Sequence, residues 1–196
     1  KLHCKMATCA QAIKAWEAKS EQKAEDATEV KLCCQIPHIA KMDNSLCNLK
    51  KCEVLSLSTN TIDRMIGLGG MTSLRILSIG RNNLKKLEKL DEVAATLEEL
   101  WCSYNQIAAL DGLSSLTNLT TLYCSNNLIK SFSELDKIAN LTNLKDVVFV
   151  GNPMYEDAGG KKEARIEVIR RLPQVHKIDG EMIKPAEREL AAQPVV

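Results

Sequence analysis

Apolar and polar residues follow one template in five windows: CEVLSLSTNTI (52–62), LRILSIGRNNL (74–84), LEELWCSYNQI (97–107), LTTLYCSNNLI (119–129) and LKDVVFVGNPM (144–154). Positions one, four, six and eleven are apolar, and position nine is Asn60, Asn82, Asn105, Asn127 or Asn152, with spacings of 22, 23, 22 and 25 residues. Alternation over positions three to seven predicts a short strand in each window. A weaker copy starts at Ala27, with Val30 and Leu32 in the strand and Gln35 in the Asn place. The Asn belongs inside the turn, bonding backbone groups that the curve leaves unpaired.

Five registered copies of L-x-x-L-x-L-x-x-N-x-L identify leucine-rich repeats. The predicted fold class is α/β. It is a leucine-rich repeat solenoid of about six 22–25-residue repeats whose strands form a concave parallel sheet, each repeat burying its neighbour's apolar face. Behind the strands, Ile62, Met65, Leu68, Met71 and Leu74, and again Ile107, Leu110, Leu113, Leu116 and Leu119, recur every third residue, which suits 3₁₀ turns. Gly67, Gly69 and Gly70 read as turn glycines; no Lys-Ser/Thr follows them, as a phosphate loop would require.

A solenoid must cover its ends. Residues 1–26 are expected to form an extension and a capping helix over about 9–24, opened by a Thr8/Gln11 capping box with Ile13 and Trp16 on its apolar side. Residues 27–154 carry the repeats. Residues 155–196 hold a helix in KKEARIEVIRRLP, with Ile166, Ile169 and Leu172 inward, a half-rung with Val175 and Ile178, and a short helix opened by Pro185.

With positions four and six inward, positions three, five and seven face the concave side. They include Val54 and Ile76; Trp101, Tyr123 and Val148; and Val150, with Arg81 and Tyr104 at position eight. Three of the seven aromatic residues thus gather on one face. Glu98, Glu99 and Asp146 sit at one margin and Arg81 at the other, which suits an amphipathic helix with some basic residues. Such a patch marks a protein-binding surface; the bland alternative is that the rings cover their own sheet.

A net charge of +1 does not favour nucleic acid or an anionic membrane, and no apolar run approaches the ~20 residues of a membrane helix. No secretory signal is read at the start. The eight cysteines lack a CxxC pair, and Cys52, Cys102 and Cys124 fall at inward positions. They read as free thiols in a reducing compartment, Cys4 and Cys9 being the accessible ones. His3, His38 and His176 are scattered, and no catalytic, metal or cofactor motif is present. The expected protein is therefore a binding module that needs no cofactor, not an enzyme.

Several stretches are more specific than the repeat: MATCAQAIKAWE, QIPHIAKMDNSL, LRILSIGRNNLKKLE and VFVGNPMYED. From Met6 to about Leu190 the chain resembles the axonemal outer-arm dynein light chain 1 family. The resemblance implies a start at Met6, with Lys1–Lys5 an extension, and a place on the cytoskeleton of the cilium or flagellum axoneme, within the cytoplasm. It implies a regulator that binds the dynein heavy chain near its microtubule-binding stalk region and can approach tubulin, with no nucleic acid or membrane partner. Ile76, Arg81, Trp101, Tyr104 and Tyr123 match the family's patch, and Arg188 its projecting terminal helix. The tail, AAQPVV, lacks the family's terminal basic residue. Two other repeat classes stay open: a phosphatase regulatory subunit, which usually has more repeats, and a splicing-type scaffold, which wants a basic face.

Overall fold

A computed structural model describes residues 6–194. His3, Cys4 and the expected Lys1–Lys5 extension lie outside the described residues. The chain runs β1 (Ala7–Thr8), α1 (Cys9–Ser20), β2 (Glu29–Lys31), β3 (Ile39–Lys41), β4 (Val54–Ser56), β5 (Ile76–Ser78), β6 (Glu99–Trp101), β7 (Thr121–Tyr123), α2 (Ser133–Asp136), β8 (Asp146–Val148), α3 (Pro153–Asp157), α4 (Lys161–Arg171), β9 (Lys177–Ile178), β10 (Glu181–Met182) and α5 (Pro185–Ala192). Strands β2 and β4–β9 form one parallel sheet in sequence order, closed by antiparallel β10, while β1 pairs with β3 apart from it. The register is the one the template demands, Val54 beside Ile76, Ile76 beside Glu99, and Trp101 beside Tyr123.

Every residue at template positions one, four, six and eleven is at most 1% exposed. The Asn ladder joins these rungs. The Asn105 amide donates to Ile79 O and Cys102 O, both at 3.0 Å, and its Oδ1 accepts from Leu84 N at 2.9 Å. Asn60, Asn82, Asn127 and Asn152 repeat the pattern, each reaching one rung back for two of its partners. Gln35 does not; it bonds only the Cys33 carbonyl two residues away.

Position eight carries a feature the template does not announce. Cys34, Thr59, Arg81, Tyr104, Asn126 and Gly151 all have positive φ, from 51 to 80°. The left-handed bend turns the chain out of the sheet, at a cost of order 1 kcal/mol for a residue with a Cβ. The next rung holds it: the Tyr104 N–H donates to Ser125 O and that of Arg81 to Ser103 O, each at 2.9 Å.

The convex side has short 3₁₀ turns at Asn44–Asn48, Asp91–Val93 and Asp111–Leu113; of the two segments with a period of three, 107–119 contains the last of these, while 62–74 has only single turns, Met71 N to Leu68 O and Leu74 N to Met71 O. Gly67, Gly69 and Gly70 are not left-handed. They are close-approach residues instead: a Cβ on Gly70 would lie 2.1 Å from Cys47 O, and the Glu92 carboxylate lies against Gly67 and Gly69.

Both ends depart from expectation in detail. The Thr8/Gln11 capping box is present, but α1 stops at Ser20, because Glu21 turns left-handed (φ 56°) and bonds back to Glu17 O. Trp16 packs half-buried against the core. At the far end α3 crosses the expected 154/155 boundary, burying both Met154 and Tyr155. Helix α4 turns Ala164, Arg165, Val168 and Ile169 inward with Leu172, leaving Ile166 at the edge. Buried Arg165 explains this rotation: it donates to Ile178 O at 2.6 Å and bridges to Glu187 of α5 at 2.8 Å. Helix α5 thus leans on the solenoid rather than projecting freely.

The described cysteines are all free. Cys9, expected to be accessible, is fully buried and bonded to Lys41 O, and burial pushes its thiol up to about 11 despite the helix start. Cys34 is the exposed one. A hydrogen bond with Cys124, then burial, holds the Cys102 thiol well above its ordinary value.

Candidate functional site

The concave face brings most of the predicted residues together. Trp101 and Tyr123, on adjacent strands, stack with ring centroids 6.0 Å apart and planes 19° apart. Val148 continues their row on β8, while Ser78 stands on the other side on β5. Val54 and Ile76 form the neighbouring row, which passes to Glu99. Trp101 is 39% exposed, Tyr104 47% and Val150 38%, while Val54, Ile76, Tyr123 and Val148 are half-buried.

Polar contacts hold these rings in place. Trp101 Nε1 donates to Glu99 Oε2 at 3.0 Å, and the Tyr123 hydroxyl donates to Asp146 Oδ2 at 3.1 Å. Burial, then the bond to Asp146, raises the Tyr123 hydroxyl above its ordinary pKa, so it stays a donor. At the rim the Arg81 guanidinium lies 4.2 Å from the Tyr104 ring centroid, a cation–π contact worth ~0.5–1 kcal/mol at an exposed site. The left-handed turn at position eight is what lifts Arg81 and Tyr104 onto this rim. Only Gly151 and Asn126, residues that tolerate such a bend, hinted at it in the sequence.

One expectation changes. The acidic margin is largely neutralised from within: Arg75 bridges to Glu98 at 2.7 Å, and Lys177, which sequence reasoning missed, bridges to Asp146 at 2.9 Å. Beside the rings, serines are tied across rungs: Ser125 Oγ donates to Ser103 Oγ at 2.9 Å, and Ser58 Oγ lies 2.7 Å from Ser78 Oγ. The face therefore offers a partner apolar and aromatic surface more than charge.

Arg188 does not join the patch. It lies half-buried on α5, donating to Pro173 O at 2.9 Å and Val175 O at 2.6 Å, rather than standing free on the projecting helix that the resemblance implies. Among the described residues no group of three or more His, Cys, Asp or Glu side chains could hold a metal ion, and no helix is long and apolar enough to cross a membrane.

Residues 95–137 match the family model described as leucine-rich repeats (2 copies). In solved structures the fold resembles a leucine-rich repeat protein of Leptospira interrogans (TM-score 0.65, 21% identity, 78% of this chain and 37% of that one). It also resembles a chain of the Drosophila melanogaster SNF/U2A' complex (TM-score 0.64, 22% identity, 78% and 91%). Identities this low speak for the fold alone. Whole-length relatives go further. The chain is 49% identical over 185 residues to dynein axonemal light chain 1 of Danio rerio, covering 94% of this chain and 96% of that protein. It is 49% identical over 190 residues to the Chlamydomonas reinhardtii protein of the same name (95% and 96%) and 46% identical over 185 to the human one (94% and 97%). With identity at this level over 94–95% of its length, the chain belongs to the dynein axonemal light chain 1 family.

Proposed function

We propose that this protein is a non-catalytic subunit of axonemal outer-arm dynein. Its concave face binds the heavy chain near the microtubule-binding stalk region, on the cytoskeleton of the cilium or flagellum, and so regulates motility. The supporting observation is the Trp101–Tyr123 stack on the outer face, in which Trp101 is exposed, with exposed Tyr104 beside it. The rings stand on the outer side of strands whose inward template positions form a continuous core, each at most 1% exposed, which favours a binding role over cover. Large aromatic side chains pre-ordered by Glu99, Asp146 and Arg81 lose little entropy on binding, and such anchors dominate interface energy.

The test is size-exclusion chromatography of the purified chain with a heavy-chain stalk-tip fragment. A one-to-one complex at micromolar concentration is expected, and its absence counts against the reading. Arg188 and tubulin form a separate part of the proposal. Helix α5 lies at the end of the solenoid, and Arg188→Glu should weaken microtubule co-sedimentation at low ionic strength; unchanged pelleting of correctly folded protein removes that part.

A further inference from the structure

A second surface lies on the flank where the chain leaves the sheet. Lys41 follows the first rung, Arg64 the second, and Lys85, Lys86 and Lys89 the third, and all five are exposed. They line two adjoining grooves, of about 310 and 460 Å³, which share Asp63 and Arg64 as a common wall. None of the five has a carboxylate within ion-pair distance among the described residues. The opposite flank behaves otherwise: Arg75 bridges Glu53 and Glu98, and Lys51 bridges Asp26.

Charge is therefore segregated. Five cations against the two carboxylates of these grooves, Asp63 and Glu88, leave the strip at +3. The whole chain is +1, so the remainder carries −2. Unpaired cations over three adjoining rungs repel one another, and a bound anion relieves that repulsion.

The geometry points to this strip as the docking site of an extended acidic peptide, a contact separate from the concave patch. Rungs lie ~4.8 Å apart, and an extended peptide advances ~3.3 Å per residue. Three rungs cover ~10–14 Å, so about three or four extended residues carrying Asp or Glu span the strip. Nucleic acid fits less well: Asp63 and Glu88 stand among the cations and would repel phosphates, and neither groove has an aromatic side chain on which a base could stack. Half-buried Ile66, in the wall of the first groove, offers instead an apolar contact for a peptide side chain.

The experiment is fluorescence anisotropy of a labelled decapeptide of alternating Glu and Ala, alongside the matching Gln peptide and a labelled single-stranded oligonucleotide. The Glu peptide is expected to bind and to weaken about tenfold between ~20 and ~150 mM salt, while the Gln peptide does not bind. The double variant Lys85→Glu, Lys86→Glu, and separately Arg64→Glu, should each weaken the Glu peptide about tenfold, folding being checked by circular dichroism. Trp101→Ala and Lys51→Glu should leave it unchanged. No binding of the Glu peptide, equal binding of the Gln peptide, tighter binding of the oligonucleotide, or indifference to both charge-reversal variants would each overturn the assignment.

Discussion

The two sides of the same strands do opposite work. On β6, Leu100 points inward and is fully buried, while its neighbour Trp101 points outward and is 39% exposed. The inner side is a spine in which each group answers to the next rung: leucines fill the space, and each Asn ties two turns. The outer side answers to nothing within the rungs beyond a few bracing contacts. The difference teaches where substitution should cost stability and where it should cost recognition.

The sharpest way to break the inner side is Asn105→Ala. It leaves the buried Leu84 N–H unpaired, at ~1–3 kcal/mol, and takes one of two donors from each of Ile79 O and Cys102 O, which keep Asn82 and Asn127, at ~0.5–1.5 kcal/mol each, so a loss of roughly 3–5 kcal/mol is expected in urea unfolding. An Asn105→Ala variant as stable as the parent would deny the ladder its role.

The direct contrast comes next. Leu100→Ala should lose ~2–5 kcal/mol of stability through its cavity. Trp101→Ala should change stability by only about 0.5 kcal/mol while weakening heavy-chain binding by ~2 kcal/mol. Should Trp101→Ala unfold the protein as easily as Leu100→Ala, the rings are cover and the two sides do not differ.

The C-terminal lid supplies a boundary case, a charged pair used as core. Its hydrogen bond to Arg165 holds the Glu187 carboxyl below the ordinary 4.5. The unfolded chain then binds more protons than the folded one between those two values. This contribution is present above about 4.5 and lost as pH falls through the folded pKa. Glu187→Gln strands buried Arg165, and should cost ~3 kcal/mol at neutral pH and flatten the acid limb of the stability profile. An unchanged acid limb would place the acid sensitivity elsewhere.

The smallest effect is at the rim. Tyr104 holds φ 59°, so Tyr104→Gly should relieve backbone strain and raise stability by up to ~1 kcal/mol, while removing the ring that Arg81 covers and weakening heavy-chain binding. A thermal melt together with the binding assay reads both; a drop in stability would mean that the ring braces the fold.

Much of this was legible in the residues. Period-two alternation, the Asn spacing and the family stretches carried the sheet, its register and the outward-facing row of Trp101, Tyr123 and Val148. Inward and outward follow from strand geometry alone once the leucines are registered. The capping box at Thr8 was equally local, needing only one turn of helix.

What tertiary structure alone decided lies between rungs or between ends. The bend at Tyr104 is held by a carbonyl of the next rung, so no local preference announces it. Cys9 sits at a helix start that reads as exposed, yet β3 covers it. Arg165 and Arg188 look like solvated helix residues, but Ile178 and Glu187 in one case, and Pro173 and Val175 in the other, take them up. The sequence by itself determined which residues face the core, because a repeated strand has only two sides. Which polar group meets which was left to the folded chain, because those partners are distant in sequence and their pairing depends on how the rungs and caps come to rest against one another.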